Sequence, residues 1–291
     1  MSDTPTAPPT TYGDRLRSAM AELGPFCPGI DPHAALLEQW GLPDTVAGLE
    51  TFALSCVEAF GGAVAAVKPQ SAFFERFGSA GVAVLERTLA GLRDAGTLSL
   101  LDVKRGDIGT TMAGYAQAYL SNGSPLRADA ITVSPYLGYE SLRPALDLAS
   151  ATGRGVFVLT LTSNSEGSSV QHAVLDGTTV AASVVAGVAR DNAAAAASGR
   201  LGSVGMVVGA TVGSAVTDLG LDLAGAAGPL LAPGLGAQGG TPAALRETFG
   251  AALPQVLGTS SREVLAAGPD VASLRDAARR AAGDLAAALA G

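Results

Sequence analysis

Eight short apolar runs alternate with longer amphipathic segments along this chain, and that alternation constrains its fold more than any single motif. The runs are Phe26 to Ile30, Ala63 to Val67, Leu98 to Val103, Ala130 to Val133, Val156 to Leu161, Val204 to Val208, Leu230 to Ala232 and Gln255 to Leu257. Several are β-branched and nearly uninterrupted in apolar character, as strands buried on both faces are. Helical patterns are predicted between them, over Phe73 to Ala95, Ser141 to Ala151, Val170 to Ala197 and Ser273 to Ala290. In the first of these, Val82, Val84, Leu85, Leu89 and Leu92 follow a helical period. A further segment, Asp14 to Leu23, precedes the first run and gathers Leu16, Ala19, Met20 and Leu23 on one face. Eight βα units predict an α/β fold, a (β/α)8 TIM barrel with an extra N-terminal helix. No shift in composition divides the chain, so residues 13–291 are expected to form one barrel after a flexible tail, residues 1–12. An open doubly wound sheet is the competing architecture. Its glycine fingerprint belongs after the first strand, whereas Gly234-Leu235-Gly236-Ala237-Gln238-Gly239 follows the seventh run.

A barrel places its active site at the carboxyl ends of its strands. The unusual polar residues fall there. Asp31 follows the first run and Lys68 the second; Asp102, Lys104 and Asp107 end the third. Thr162, Ser163 and Asn164 follow the fifth, Gln238 the seventh and Arg262 the eighth. In a strand, Asp102 and Lys104 share a face, because side chains repeat every two residues. Asp107 lies beyond Gly106, where the chain is free to turn, and Thr110 or Thr111 is expected to cap the helix that follows. Lys68 admits three readings: a snorkelling surface lysine, a Schiff-base lysine, or a charge partner for the acids of the third strand. The last two loops suit a phosphate. Pro233 to Gly240 is glycine-rich, and Gly258-Thr259-Ser260-Ser261-Arg262 supplies hydroxyls and a guanidinium. His33 is read as a turn or cap residue and His172 as a loop residue. Glu75 and Arg76 are expected on an exposed helix face, with Tyr115, Tyr119 and Trp40 as packing residues.

The formal net charge is −8, which offers no basic stripe to neutralise a phosphate backbone and excludes a nucleic-acid binder. A local group of cations still suits a small anion. The Ala-rich region from Val180 is interrupted by Arg190, Asp191 and Asn192, so no membrane span is predicted. Met1 to Thr11 is Thr/Pro-rich, without the basic-then-apolar pattern of a signal. A soluble cytoplasmic protein is expected, with neither membrane nor nucleic acid as partner. Cys27 and Cys56 sit in apolar runs and read as buried thiols. With His33 and His172 as the two histidines, no cluster has metal-ligand spacing.

Together these blocks resemble the orotidine 5′-phosphate decarboxylase family. The core is Asp102-Val103-Lys104-Arg105-Gly106-Asp107-Ile108, similar to that family's Asp-x-Lys-x-x-Asp-Ile motif. Gly29-Ile30-Asp31-Pro32, Val67-Lys68-Pro69, Thr162-Ser163-Asn164, Pro233 to Gly240 and Ser260-Ser261-Arg262 reinforce it in order. The Lys-Arg-Gly-Asp-Ile-Gly wording and the length resemble its longer bacterial, type 2, subgroup. The resemblance implies decarboxylation of orotidine 5′-monophosphate without a cofactor or metal. It implies a catalytic array of Lys68, Asp102, Lys104 and Asp107, with Lys104 protonating a ring carbanion. Asp107 would come from the other subunit of a homodimer, and Ile108 and Thr111 would reach across with it. Asp31 and Lys68 would hold ribose hydroxyls, Ser163 the pyrimidine edge, and Gln238, Ser261 and Arg262 the phosphate. Ser165-Glu166 departs from the Pro-Gly of the commoner pattern, which bears on the geometry of that loop.

Three other readings compete. A metal-dependent sugar-phosphate decarboxylase or aldolase of the same superfamily would need an acid near the second strand, where Lys68 stands. A Schiff-base aldolase would need a free amine, which an adjacent carboxylate disfavours. A non-catalytic phosphate-binding barrel has little reason to gather four charges.

Overall fold

The computed structural model describes residues 10–235 and 241–290. Eight parallel strands close into a barrel: β1 (Phe26–Ile30), β2 (Ala66–Pro69), β3 (Leu98–Arg105), β4 (Ala130–Val133), β5 (Gly155–Leu161), β6 (Val204–Val208), β7 (Leu230–Pro233) and β8 (Val256–Ser260). Each pairs with the next in chain order, and β8 returns to β1 through Phe26–Gly258 and Cys27–Thr259. This is the (β/α)8 barrel that the eight-fold alternation predicts.

Strand parity divides the core into two layers. Leu101, Ile131, Val156, Val158, Leu230 and Val256 point outward and pack under the helices. Residues of the other parity, Cys27, Ala66, Leu98, Leu100, Ala130, Phe157, Val207, Leu231 and Leu257, fill the interior. Helix α1 (Tyr12–Leu23) plugs this interior with Tyr12 and Leu16, both fully buried, and Ala19 and Met20 pack beside them. Thr11 caps α1 through a reciprocal pair with Asp14. Tyr12 meets Phe157 edge to face at 6.1 Å. Gly155 is needed there, since a Cβ would fall 2.3 Å from the Tyr12 ring. Arg15 of α1 bonds Asp129 at 2.6 Å, and Asp129 in turn accepts from Ser99. Both thiols are buried, which pushes Cys27 up to about 12 and Cys56 well above its ordinary range.

Three local expectations need correction. The helical pattern Phe73 to Ala95 is two helices, Ser71–Glu75 and α2 (Gly78–Asp94), with the chain leaving helical geometry between them. The expected helix Val170 to Ala197 is broken further. A short helix, Ser168–Gln171, leads into a hairpin of Val174–Leu175 with Thr178–Thr179. Asp176 and Gly177 form its turn with φ of 50° and 78°, and an Asp-Gly pair suits that left-handed geometry. Only then does Thr179 cap a helix, Val180–Asp191. Finally, neither Thr110 nor Thr111 caps the helix after β3. Ile108 is the cap position of α3 (Gly109–Leu120), without a side-chain bond, and both threonines are exposed. Among the described residues, no helix is long and apolar enough to cross a membrane.

Because Leu16 closes an otherwise open apolar interior, Leu16→Ala should destabilise the fold by about 2–5 kcal/mol, the range for emptying a packed leucine site. Urea unfolding followed by circular dichroism reads this; an unchanged midpoint would show that α1 only rests against the barrel.

Candidate active site

The parity that buries Ala66, Leu100, Ala130 and Leu257 continues toward the carboxyl ends of the same strands as Lys68, Asp102, Thr132 and Thr259. The barrel interior therefore ends in a polar layer lying on an apolar one. Lys68 is 7% exposed and Asp102 9%. Burial at that level is tolerable only with close partners. The Lys68 ammonium lies 3.3 Å from Asp102 Oδ2, and 3.8 Å from Asp31 Oδ1. The Lys104 ammonium donates to Asp102 Oδ1 at 2.6 Å, and its side chain is 45% exposed. Asp102 is thus held between two cations, one buried and one reaching toward solvent.

The charges answer this arrangement. Burial alone pushes the Asp102 carboxyl up, but Lys68, then Lys104 and the donated hydrogen bonds outweigh it and hold it below the usual carboxylate range. For Lys68 burial opposes the charge, while Asp31 and Asp102 overcome it and raise its pKa. Both groups stay ionised across the neutral range.

Simple strand alternation does not produce the Asp102–Lys104 pair. The β3–β4 ladder runs Leu101 to Ile131 and then jumps to Arg105 with Val133, so four steps on β3 oppose two on β4. Within this bulge Lys104 takes φ of 45°, a left-handed conformation that costs a non-glycine residue about 1–3 kcal/mol. Its neighbours hold it there. The Lys104 N–H donates to Thr132 Oγ1 at 2.9 Å, and Thr132 Oγ1 lies 2.8 Å from Asp102 Oδ1. Arg105 O accepts from Ser134 N at 2.8 Å, and the Arg105 guanidinium donates to Val103 O, Glu75 and Tyr119. Glu75 and Arg76 are exposed, as expected; each is also paired, Glu75 with Arg105 of the bulge and Arg76 with Asp44. Thr132 escaped the sequence reading because one threonine in an apolar strand looks like ordinary β-branched filling. Its inward parity was the available signal.

A cavity of about 430 Å³ opens beside the array, lined by Asp31, His33, Lys68, Phe73, Thr259, Ser261 and Arg262 among others. It brings together the expected ribose and phosphate residues Asp31, Lys68, Ser261 and Arg262. His33, read as a cap residue, also faces it. At Gly29 an added Cβ would lie 2.0 Å from Ser261 Oγ and 3.0 Å from its Cβ, so any larger residue there would push the Ser261 side chain aside. Among the described residues Asp31 Oδ1 and Thr259 Oγ1 are buried without hydrogen-bond partners, and both residues line this cavity. Ser163 lies apart from this group, in a second cavity of about 240 Å³ with Asn164, His172 and Thr211. The Gln171 amide clamps Thr162 there, accepting from its N–H at 2.9 Å and donating to its hydroxyl at 2.7 Å. Among the described residues Asp107 makes no ion pair with the array, and it accepts from Ile108 N at 2.8 Å. Ile108 is 61% exposed, with Thr110 and Thr111 exposed beside it. Gln238 lies outside the described residues. Chemically, the arrangement offers a dense, fixed set of charges, a flexible ammonium within reach of an incoming ligand, and an arginine with hydroxyls at the far wall.

The sequence profile of the family described as "Orotidine 5'-phosphate decarboxylase / HUMPS family" matches residues 24–277. An orotidine 5′-phosphate decarboxylase of Salinispora tropica is 61% identical over 282 residues, 97% of this chain and 99% of that one. One of Streptomyces coelicolor is 59% identical over 271 residues, 92% and 95% of the two chains. Among solved structures, one from Streptomyces avermitilis superposes with a TM-score of 0.92 at 56% identity, covering 100% of both chains. The Leishmania donovani OMP decarboxylase superposes with a TM-score of 0.75 at 29% identity, covering 97% of this chain and 100% of that one.

Lys68→Met should lower stability by about 3–5 kcal/mol, since it strips the buried carboxylates of their shared cation. It should also change the acid side of the stability curve. A depressed carboxyl pKa contributes stability present above the unfolded value and lost as pH falls through the folded one. Without Lys68 the Asp102 pKa rises, so the loss on acidification begins at higher pH. Thermal melting from neutral to acid pH reads both effects; superimposable curves for variant and wild type would contradict the array.

Proposed function

The chain belongs to the orotidine 5′-phosphate decarboxylase / HUMPS family, and on that premise we infer that it converts orotidine 5′-monophosphate to uridine 5′-monophosphate and carbon dioxide. It is an enzyme of UMP biosynthesis, a carboxy-lyase. The observation that carries the assignment of residues is the Asp102 carboxylate held between Lys68 and Lys104, with Lys68 also lining the cavity that contains Arg262.

The substrate's phosphate lies against Arg262 and Ser261, with Gln238 assigned to the same group, and the ribose hydroxyls against Asp31 and Lys68. Arginine suits the phosphate through its planar fork of donors. The base then lies over Asp102 and Lys104, with Ser163 reading its edge. The C6–carboxylate bond breaks, carbon dioxide leaves, and the electron pair stays on C6. The Lys104 ammonium stabilises that charge and delivers its proton to C6, giving the product; the neutral amine then regains a proton from water. Asp102 faces the departing carboxylate and keeps Lys104 aimed. Binding energy from the remote phosphate helps assemble the site around the base. Ion pairing also speaks against the metal-dependent alternative. The position where that alternative needs an acid is held by Lys68, whose ammonium pairs with Asp31 and Asp102 at 3.8 and 3.3 Å and would repel a cation.

The same reading makes the active unit a cytoplasmic homodimer. Asp107, Ile108 and Thr111 would enter the neighbouring site. In support, Tyr136 and Leu137 on the loop after β4 are 78% and 52% exposed beside the exposed Ile108 loop, and the two loops run together through Ser134 and Arg105.

Ultraviolet absorbance of orotidine 5′-monophosphate incubated with the purified protein and a chelator tests the activity directly. Conversion should proceed undiminished, and loss of turnover with chelator would favour the metal-dependent reading. Lys104→Ala should abolish turnover by many orders of magnitude and leave product binding nearly intact; a modest fall in kcat would remove Lys104 as the donor. Arg262→Ala should act chiefly on KM, by about 10-fold or more for a lost charge-assisted contact. A KM equal to the wild type would displace the phosphate from that wall.

A further inference from the structure

The Thr132 hydroxyl stands at the one point where the backbone of Lys104 and the carboxylate of Asp102 meet. It accepts from Lys104 N at 2.9 Å and is 2.8 Å from Asp102 Oδ1. A hydroxyl has a single proton. With the lone pair facing Lys104 engaged by an N–H, that proton goes to Asp102. The direction of both bonds is therefore fixed by the partners. Lys104 Nζ donates to the same Asp102 oxygen at 2.6 Å, so a closed ring of hydrogen bonds runs from the Lys104 backbone through Thr132 to Asp102 and back to the Lys104 ammonium. Thr132 is 1% exposed, away from competing water. The residue it grips has φ of 45° inside the β3 bulge, where a free lysine would relax.

We propose that Thr132 is a positioning residue for the decarboxylation, holding the Lys104 ammonium at its delivery point by tying the Lys104 backbone to the Asp102 carboxylate. The inference rests on Lys104 being the proton donor. Thr132 touches no substrate atom in this account; it acts through the two residues it joins. Fixed donors act best when they need no reorganisation as charge develops. After the proton leaves Lys104, Thr132 still donates to Asp102 Oδ1, so the carboxylate keeps a partner while the lysine is neutral.

The hydroxyl also favours the ionised form of Asp102. The titratable and charged groups around this carboxylate are Lys68 from β2, Lys104 from β3 and Cys27 from β1, with Asp31, just after β1, on the other side of Lys68. Each remains when Thr132 is altered, so a change in titration isolates the hydroxyl.

Single-turnover decarboxylation across pH, measured for wild type, Thr132→Val, Thr132→Ser and Lys104→Ala, tests the proposal. Thr132→Val keeps the shape and removes both bonds. It should slow the single-turnover rate by about 10- to 100-fold, the usual effect of a lost bond to a charged group. It should move the acid limb to higher pH and leave product-nucleotide affinity near wild type. Thr132→Ser keeps the hydroxyl and should retain the rate. A purely structural threonine would change the melting temperature in Thr132→Val without moving the acid limb. An unchanged rate and acid limb in that variant would overturn the proposal. If Thr132→Val does not fold, Thr132→Ser still decides, since a loss of rate in it with product affinity intact would assign the role to the methyl group. Lys104→Ala separates the two levels. If it turns over like wild type, the donor assignment itself fails; if it is inactive, the Thr132 variants report on positioning alone.

Discussion

Everything at this site depends on one carboxylate, Asp102, buried at the top of a closed barrel between two ammonium groups. Isolated, such a charge would be too costly to desolvate. Lys68 at 3.3 Å and Lys104 at 2.6 Å make it tenable, and it makes them tenable in return. Buried ion pairs are seldom a bargain in stability when compared with apolar packing. The barrel keeps this one on a floor of Cys27, Ala66, Leu100, Ala130 and Leu257, closed below by Tyr12 and Leu16. The apolar floor holds stability and the polar rim holds chemistry, and strand parity aligns the two. A shift of one residue in register would exchange them.

The two lysines are held differently, and their proposed roles follow. Lys68 emerges from a regular strand, is enclosed, and lies between Asp31 and Asp102; it is suited to keeping the array charged. Lys104 comes from a bulge, takes a left-handed backbone and reaches outward. A mobile four-carbon arm with its root pinned by Thr132 and Arg105 suits a group that must deliver a proton and recover it. Strain at the root and freedom at the tip are thus parts of one device.

Much of this was legible in the sequence because apolar runs report burial directly. All eight strands and their order follow from that pattern, as do the polar residues Asp31, Lys68, Asp102, Ser163 and Arg262 at the carboxyl ends of five of them. The resemblance carried by Asp102-Val103-Lys104-Arg105-Gly106-Asp107-Ile108 points to the family that the profile and the relatives then give. What the pattern missed has physical causes. Helical periodicity cannot see a break that rests on loop geometry, so Phe73 to Ala95 and Val170 to Ala197 read as continuous. In the second case Asp176-Gly177, between the β-prone pairs Val174-Leu175 and Thr178-Thr179, was the turn signal that the helical period passed over. Period-two reasoning paired Asp102 with Lys104 correctly, but for a regular strand, whereas the pair is made across a bulge. Thr132 and Glu75 act through contacts to residues 28 to 30 positions away, and sequence spacing carries no sign of those.

The central claim is that the Lys104 ammonium sits where negative charge develops on the ring. A crystal structure of this protein with a uridine 5′-monophosphate analogue bearing an anionic oxygen on C6 measures that most directly. Lys104 Nζ should lie within hydrogen-bond distance of that oxygen, about 3 Å, with Asp102 still bonded to it. An ammonium directed away from the ring, toward solvent or toward the phosphate, would contradict the account.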